Sequence, residues 1–499
     1  MSGRLRLIGL AAGPLAGLLL FSILPDSYND AAGQATALSA TARATAAIGI
    51  WMAIWWISEA ISVYATALLP LAAFPLTGAA SIRDTAAAYG HELIFLFLGG
   101  FVLALGLERW GVHRRLALAV LAMVGTRPTR IVGAFMAISA FISMWVTNTA
   151  TAIMLLPVAL SVLRLVPESA DSGESSDTRD NLSLALLLGI AYAASIGGVG
   201  TIVGTAPNLF LVSFVENQMG IEISFLTWMM IGVPLVIVFL PLAWWLLARM
   251  IYPVSKIEMP AITGVVANLR DDLGPMSRGE KLMLLIFVAT AAAWLTRPFL
   301  NAITVYGVQP LAGLSDPGIA VIAALLLFVT PLRLTAGEFL MDWRTAVQLP
   351  WGLLILFGGG LSLAATLDRS GFSAYLGSQA AGLADLPAPV IVALVTSLMI
   401  FLTEITSNTA TTATLVPVLY AVARGLGLDP FLLIIPAGIA ASCAFMLPVA
   451  TPPNAIIFGT SRVSIPQMAR AGLWLNLVGI VLITVLAYAV ALPILGALQ

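Results

Sequence analysis

Apolar residues occupy this chain in long blocks, at 7–25, 44–76, 225–247, 282–294, 319–329 and 473–498. A helix crosses a bilayer in roughly 20 such residues, so the blocks predict about eleven spanning helices. Against that background two near-copies of one polar phrase stand out: WVTNTATAIMLLPVAL from Trp145 and EITSNTATTATLVPVL from Glu404. Apolar helix leads into each, over 131–146 and 390–402, and leaves each, over 152–165 and 413–423. Each phrase is therefore predicted near the middle of a span.

The phrases belong to a longer repeat. At an offset of 260 positions Asn148 falls on Asn408, Leu98-Gly99-Gly100 on Gly358-Gly359-Gly360, and Pro157 on Pro417. Glu108-Arg109-Trp110-Gly111 falls on Asp368-Arg369-Ser370-Gly371. Farther on, GTAPN at 204–208 resembles ATPPN at 450–454, and a polar loop at 168–181 that the second half lacks accounts for the altered offset. Three matches in one order make the chain a duplication. Its two copies face opposite ways by charge. Arg109, Arg114, Arg115, Arg127 and Arg130 flank a stretch, 116–124, too short to cross at about 1.5 Å per residue, which marks a cytoplasmic surface. The matching region, 368–389, has one arginine and two aspartates and reads as the outer surface. Each copy opens with a glycine-bearing segment, ELIFLFLGGFVLALGLERWG or WGLLILFGGGLSLAATLDRSG, that suits a re-entrant hairpin. The expected fold is an all-α polytopic membrane protein: an inverted repeat of about eleven transmembrane helices, two re-entrant hairpins and two broken helices.

Composition agrees with a membrane protein. Of 499 residues 60% are hydrophobic and 9% charged, against about 25% charged in soluble domains. A net charge of −1 gives no field for nucleic acid. The single Cys443 excludes an internal disulfide, and His91 and His113 are too few for a His-ligated metal site. The start, MSGRLRLIGLAAGPLAGLLLF, has the outline of a signal peptide but no convincing cleavage site follows; Arg4 and Arg6 are expected to hold the amino terminus in the cytoplasm.

Ser, Thr and Asn compete for backbone hydrogen bonds and weaken a helix where they cluster. Unwound backbone at membrane depth is tolerated against protein or a water-filled cavity. Freed carbonyls, with the side-chain oxygens of Thr147, Asn148, Ser407 and Asn408, are hard ligands for Na⁺, and freed N–H groups suit an anion. No Lys or Arg lies in the phrases or in the GTAPN and ATPPN loops, so co-bound cations would have to offset an anion's charge. Glu404 precedes the second phrase and Glu59 lies in WWISEAISVYATALLP; either could carry protons. Glu404 aligns with Met144, however, which favours a structural carboxylate bonded to a hairpin or helix end. No nucleophile–base set or phosphate loop suggests an enzyme, and no repeated pore-lining ring suggests a channel.

At these residues the sequence resembles the divalent anion/sodium symporter family, carriers of dicarboxylates, citrate or sulfate. The resemblance rests on Thr147-Asn148-Thr149, Ser407-Asn408-Thr409 and the early phrase WWISEAISVYATALLPLAAFPLTG, and covers most of the chain. It implies a multi-pass protein of the cell inner membrane, a homodimer in lipid, and elevator-type alternating access. Scaffold parts would be 1–88 and 223–346, and transport parts 89–222 and 347–499. The transported ion would be Na⁺. One sodium site would use Ser143, Thr147, Asn148 and the carbonyl of Gly198, a second Thr403, Thr406, Asn408 and the carbonyl of Ala450. A small anionic substrate would meet Asn148, Thr149, Asn408, Thr409, Thr451 and Pro452. The first motif opens with Thr147 in place of Ser, which keeps the hydroxyl, and Thr406 stands where a small residue is expected. The implied function is Na⁺-coupled import of a di- or tricarboxylate. Sodium-independent exchange, sulfate uptake and Na⁺/H⁺ antiport remain alternatives; antiport would need an essential Glu404 or Glu59.

Overall fold

Proline, serine and glycine divide the apolar sequence into helices. The computed structural model describes residues 3–29, 34–164, 173–254, 261–333, 335, 337–383 and 385–498. Helices α1 (Gly3–Ile23), α2 (Ala40–Ser58), α3 (Val63–Thr66), α4 (Leu69–Thr77) and α5 (Ile82–Ala87) come first. A first series follows: α6 (Glu92–Arg109), α7 (Val112–Val124), α8 (Pro128–Ser143), α9 (Asn148–Leu163), α10 (Gly173–Gly198), α11 (Ala206–Met219) and α12 (Phe225–Trp245). Between the series lie α13 (Ala261–Asp271), α14 (Arg278–Asn301), α15 (Asp316–Val329) and α16 (Trp343–Ala346). The second series opens with α17 (Trp351–Arg369), α18 (Phe372–Gln379), α19 (Ala388–Thr403) and α20 (Asn408–Gly425). It closes with α21 (Phe431–Ala440), α22 (Pro452–Phe458) and α23 (Ile465–Leu486), before α24 (Leu492–Gly496).

The fold is mostly helical but not wholly so. Two short antiparallel ribbons occur, Ser27–Asn29 with Ala35–Ala37 and Pro331–Arg333 with Glu338–Phe339. Among the described residues eight helices are long and apolar enough to cross a bilayer, and six further apolar segments are shorter. Pro128 stands in the first turn of α8, where its missing N–H costs nothing. Ser224 and Ser464 cap α12 and α23 from equivalent places, and a wider π-type turn extends each helix, at Leu246–Ile251 and Ala487–Ala491.

Two sequence expectations change. Gly99-Gly100 and Gly358-Gly359-Gly360 do not interrupt their segments: α6 and α17 are continuous helices of 18 and 19 residues. The glycines serve contact. A Cβ on Gly99 would lie 2.5 Å from the backbone of Ala320 in α15, and one on Gly359 2.4 Å from the carbonyl of Ala67. The loop expected at 168–181 lies outside the described residues up to 172, and from Gly173 onward the chain is already in α10. Residues 255–260 also lie outside them, and α13 follows at once.

α14 is 24 residues and about 36 Å long. At its start Arg115 of α7 pairs with Glu280 at 2.9 Å, and Arg109 at the end of α6 pairs with Asp342 at 2.6 Å. The Thr345 backbone N–H, with Arg109, holds the Asp342 carboxyl below the usual carboxylate range. At the far end Arg297 pairs with Asp316 and Glu222, both at 2.7 Å. Glu92, which opens α6, lines a cavity of about 240 Å³ with these residues. Arg369, at the end of α17, pairs instead with Asp84 in α5, just before α6 begins. Arg109 and Arg369, matched in sequence, therefore sit toward opposite ends of α6.

Candidate functional site

Each series breaks at two places. The turn 144–147 separates α8 from α9 and the stretch 199–205 separates α10 from α11; the counterparts are 404–407 and 441–451. Thr147 caps α9, its Oγ1 accepting the Ala150 N–H at 3.3 Å. Ser407 occupies the cap position of α20 without such a bond. Thr205 and Thr451 precede the other two helices, with proline in the first turn of each. The Thr-x-Pro-Asn order is thus a helix-start signal, and the Asn turns back into the loop. Asn208 Nδ2 donates to the carbonyls of Gly198, Val199 and Thr201 at 3.1, 3.3 and 2.8 Å. Asn454 Nδ2 donates to those of Ala444 and Leu447 at 3.2 and 3.1 Å.

The two polar turns share one geometry. Ser143 Oγ donates to Asn148 Oδ1, and Thr403 Oγ1 donates to Asn408 Oδ1 at 2.6 Å. Both bonds join residues five apart and turn the amide Nδ2 donor the other way. Gly198 lies against the first pair, since a Cβ there would meet Asn148 Oδ1 at 2.8 Å and Gly204 O at 3.1 Å. Ser143, Asn148 and Gly198, expected together around one cation, are brought together. Thr147 stands beside them with its hydroxyl engaged as a cap. In the second copy the Thr403 hydroxyl also faces the Ala441 carbonyl, at 2.9 Å. Thr406 turns its hydroxyl to Leu402 O and Thr411 Oγ1, at 2.7 and 2.6 Å, which leaves its backbone for other work. Ala450 is buried and donates to Leu447 O at 3.2 Å.

Of the expected substrate contacts, Asn148, Thr149 and Asn408 are half-buried and Thr409 and Thr451 are buried, while Pro452 is exposed in the first turn of α22. The copies interlock. α22 of the second series packs on α9 of the first, α11 packs on α20, and Thr205 Oγ1 lies 3.2 Å from Ser442 Oγ. Thr201, Thr205, Asn208, Ser442 and Asn454 were not singled out from sequence. The GTAPN/ATPPN match held the signal for three of them. Thr201 and Ser442 sit among small residues and carry no pattern of their own.

Glu404 is buried and accepts five hydrogen bonds from four donors. Its Oε1 accepts from Phe445 N, Met446 N and Asn476 Nδ2 at 2.7, 2.9 and 2.8 Å; its Oε2 accepts from Met446 N and Leu447 N at 3.0 and 3.1 Å. Glu59 lies elsewhere, at the end of α2, beside Arg6 at 3.5 Å. His91 caps α6 through Nδ1, and His113 is buried with Nδ1 2.9 Å from Leu107 O. No Lys or Arg occurs in 144–152, 198–208, 404–412 or 441–454, so the site offers an anion only amides, hydroxyls and helix starts.

Such a site, uncharged but for one carboxylate that accepts five hydrogen bonds and set between broken apolar helices, suits a carrier of small solutes. The chain belongs to the sodium:sulfate symporter family, whose transmembrane region matches residues 32–495, and it is a multi-pass membrane transporter. It is 39% identical over 493 residues to the sodium-dependent dicarboxylate transporter SdcS of Staphylococcus saprophyticus, covering 98% of this chain and 92% of that one. The SdcS protein of Staphylococcus aureus strain USA300 is 38% identical over 492 residues, with the same coverage. In fold the chain is similar to the YdaH transporter of Alcanivorax borkumensis, with a TM-score of 0.56, 14% identity and 97% of each chain covered. It is similar also to MtrF of Neisseria gonorrhoeae, with a TM-score of 0.61, 12% identity, and 98% and 96% covered.

Proposed function

We propose that this protein imports dicarboxylates of the succinate or malate type together with Na⁺. The observation that carries the reading is the twin geometry at Ser143–Asn148 and Thr403–Asn408, each pair beside carbonyls of a broken stretch and free of basic side chains. Cations bound there offset the charge of a dianion that amides alone could not hold at membrane depth. One sodium would use Ser143, Thr147, Asn148 and the Gly198 carbonyl; the other would use Thr403, Asn408 and the backbone of Thr406 and Ala450. The Nδ2 donors of Asn148 and Asn408, with Thr149, Thr409, Thr451 and the start of α22 at Pro452, would face the carboxylates. Thr205 would be the counterpart of Thr451.

The hairpins of this reading are α8–α9 and α19–α20, with the polar phrases at their tips. α8 runs alongside α10 in the same direction: Met136 meets Gly189 and Ala140 meets Gly197. α9 returns to pack on α7, which precedes α8. Gly425 at the end of α20 abuts Gly377 of α18, which precedes α19. The broken spans are then α10–α11 and α21–α22. The opposed positions of Arg109 and Arg369 support an inverted repeat. In an elevator-type cycle α8–α12 and α19–α23 would travel, while α6 and α17, packed on α15 and on α2 to α5, would join the scaffold. We place the protein as a homodimer in the cell inner membrane, amino terminus in the cytoplasm. Antiport through Glu404 is disfavoured by its full set of donors, and through Glu59 by its exposed side chain, which faces Arg6.

Uptake of labelled succinate into proteoliposomes, under an inward Na⁺ gradient and then with K⁺ in its place, tests the proposal. Uptake with Na⁺ alone is expected. Equal uptake in both salts, stimulated by internal succinate, would make the protein an exchanger. Uptake of sulfate but not succinate would reassign the substrate.

A further inference from the structure

We propose that Glu404 and Asn476 are positioning residues that shape the second cation site and make it the tighter of the two, an inference that rests on the sodium-coupled reading above. Three consecutive N–H groups, at Phe445, Met446 and Leu447, grip the Glu404 carboxylate at 2.7 to 3.1 Å. Successive backbone donors make an anion-binding concavity of this kind. Peptide planarity forces the paired carbonyls, of Ala444, Phe445 and Met446, to point away from the carboxylate. The Ala444 carbonyl accordingly accepts from Asn454 Nδ2, in the helix start that follows Thr451. Glu404 adjoins Thr403, whose hydroxyl holds both Asn408 Oδ1 and the Ala441 carbonyl. One side chain thus fixes the turn and the loop that together build the site.

The anchor lies on α23. Gly472 lets the loop approach closely, since a Cβ there would lie 2.3 Å from Phe445 O. Asn476, one turn on and fully buried, donates to Glu404 at 2.8 Å. The first copy repeats the packing without the charge. Gly232 of α12 meets Val199 O at 2.4 Å in the same way, and the carbonyl of Met144 is held by the Thr201 hydroxyl. Where the second copy has Glu404 and Asn476, the first has Met144 and Val236, taking α12 and α23 from their matched Ser224 and Ser464 caps. Both members of the pair are polar in one copy and apolar in the other. A negative charge therefore adjoins the second turn, where the matched position in the first copy is apolar, in a medium that screens it weakly.

The test is the thermal stability of the purified full-length protein in NaCl against KCl, without substrate, followed by succinate uptake at saturating and limiting Na⁺. In the wild type, Na⁺ raises the melting temperature. Glu404→Gln is expected to raise the Na⁺ concentration for half-maximal stabilisation and half-maximal uptake about tenfold, the scale of a lost charge-assisted bond. The succinate KM at saturating Na⁺ stays within about twofold under that principle, because no substrate contact is removed. Asn476→Ala, which keeps the carboxylate, shifts the Na⁺ dependence the same way by a smaller factor and serves if Glu404→Gln does not fold. Unchanged Na⁺ dependence in a folded variant, or a rise in succinate KM alone, overturns the assignment. If the wild type shows no Na⁺-specific stabilisation, the sodium reading itself fails and this inference falls with it.

Discussion

In the proposed reading Asn148 and Asn408 do two jobs with one amide. The oxygen is tied to a hydroxyl five residues earlier, and that tie aims the nitrogen. Replacing either by Ala removes a cation ligand and a substrate donor together, and uptake in proteoliposomes is expected to fall to background for Asn148→Ala and for Asn408→Ala. Near-normal uptake by both would remove the site assignment. His91→Ala deletes a helix cap outside the site and is expected to leave uptake intact, with a stability cost of about 1 kcal/mol or less. Ser143→Ala leaves Asn148 Oδ1 without its donor, a loss of about 1–3 kcal/mol where the group stays buried. It is expected to weaken the Na⁺ dependence of uptake more than the succinate KM. Thr147→Ser keeps the capping oxygen and should transport normally.

At the scale of the element, glycine shows where sequence reading succeeded and where it stopped. The offset of 260 was legible because Gly99, Arg109, Asn148 and Pro157 keep their register with Gly359, Arg369, Asn408 and Pro417. That α6 and α17 run unbroken was not legible. A glycine pair reads the same in a hairpin and in a helix pressed on a neighbour, and only Ala320 beside Gly99 and Ala67 beside Gly359 decide it. The partners of Glu404 were hidden for a similar reason: they lie 41 to 72 residues on and three of them are backbone groups. Both phrases were found because Ser, Thr and Asn are conspicuous among apolar residues, whereas Thr201 is one more Thr in a small-residue loop. Gly99→Ala forces a backbone shift and should lower the melting temperature in detergent by the equivalent of about 1–3 kcal/mol. Gly264→Ala in α13, with nothing within 4 Å of its Cβ, should be neutral or slightly stabilising.

For the whole molecule, the proposed inverted repeat makes a prediction about sidedness. Arg114 in α7 and Ala374 in α18 are exposed and lie in matched helices. With Cys443 replaced by Ala, single cysteines at 114 and 374 should react with an impermeant thiol reagent from opposite faces of the membrane, 114 from the cytoplasm. Labelling of both from one face would rule out the inverted arrangement. The interlocking of the copies also bears on how the protein is made. α9 cannot meet α22 until some 300 further residues have been synthesised, roughly 15–60 s at about 5–20 residues per second. Through that interval the first polar turn waits without the half of the chain that completes it. Its hydrogen bonds are local: Ser143 to Asn148, Thr147 to Ala150, and, once α10 has entered, Thr201 to Met144. With Asn148 Oδ1, the Thr147 hydroxyl and the Met144 carbonyl already bonded locally, the first turn can take its shape before the second half of the chain arrives.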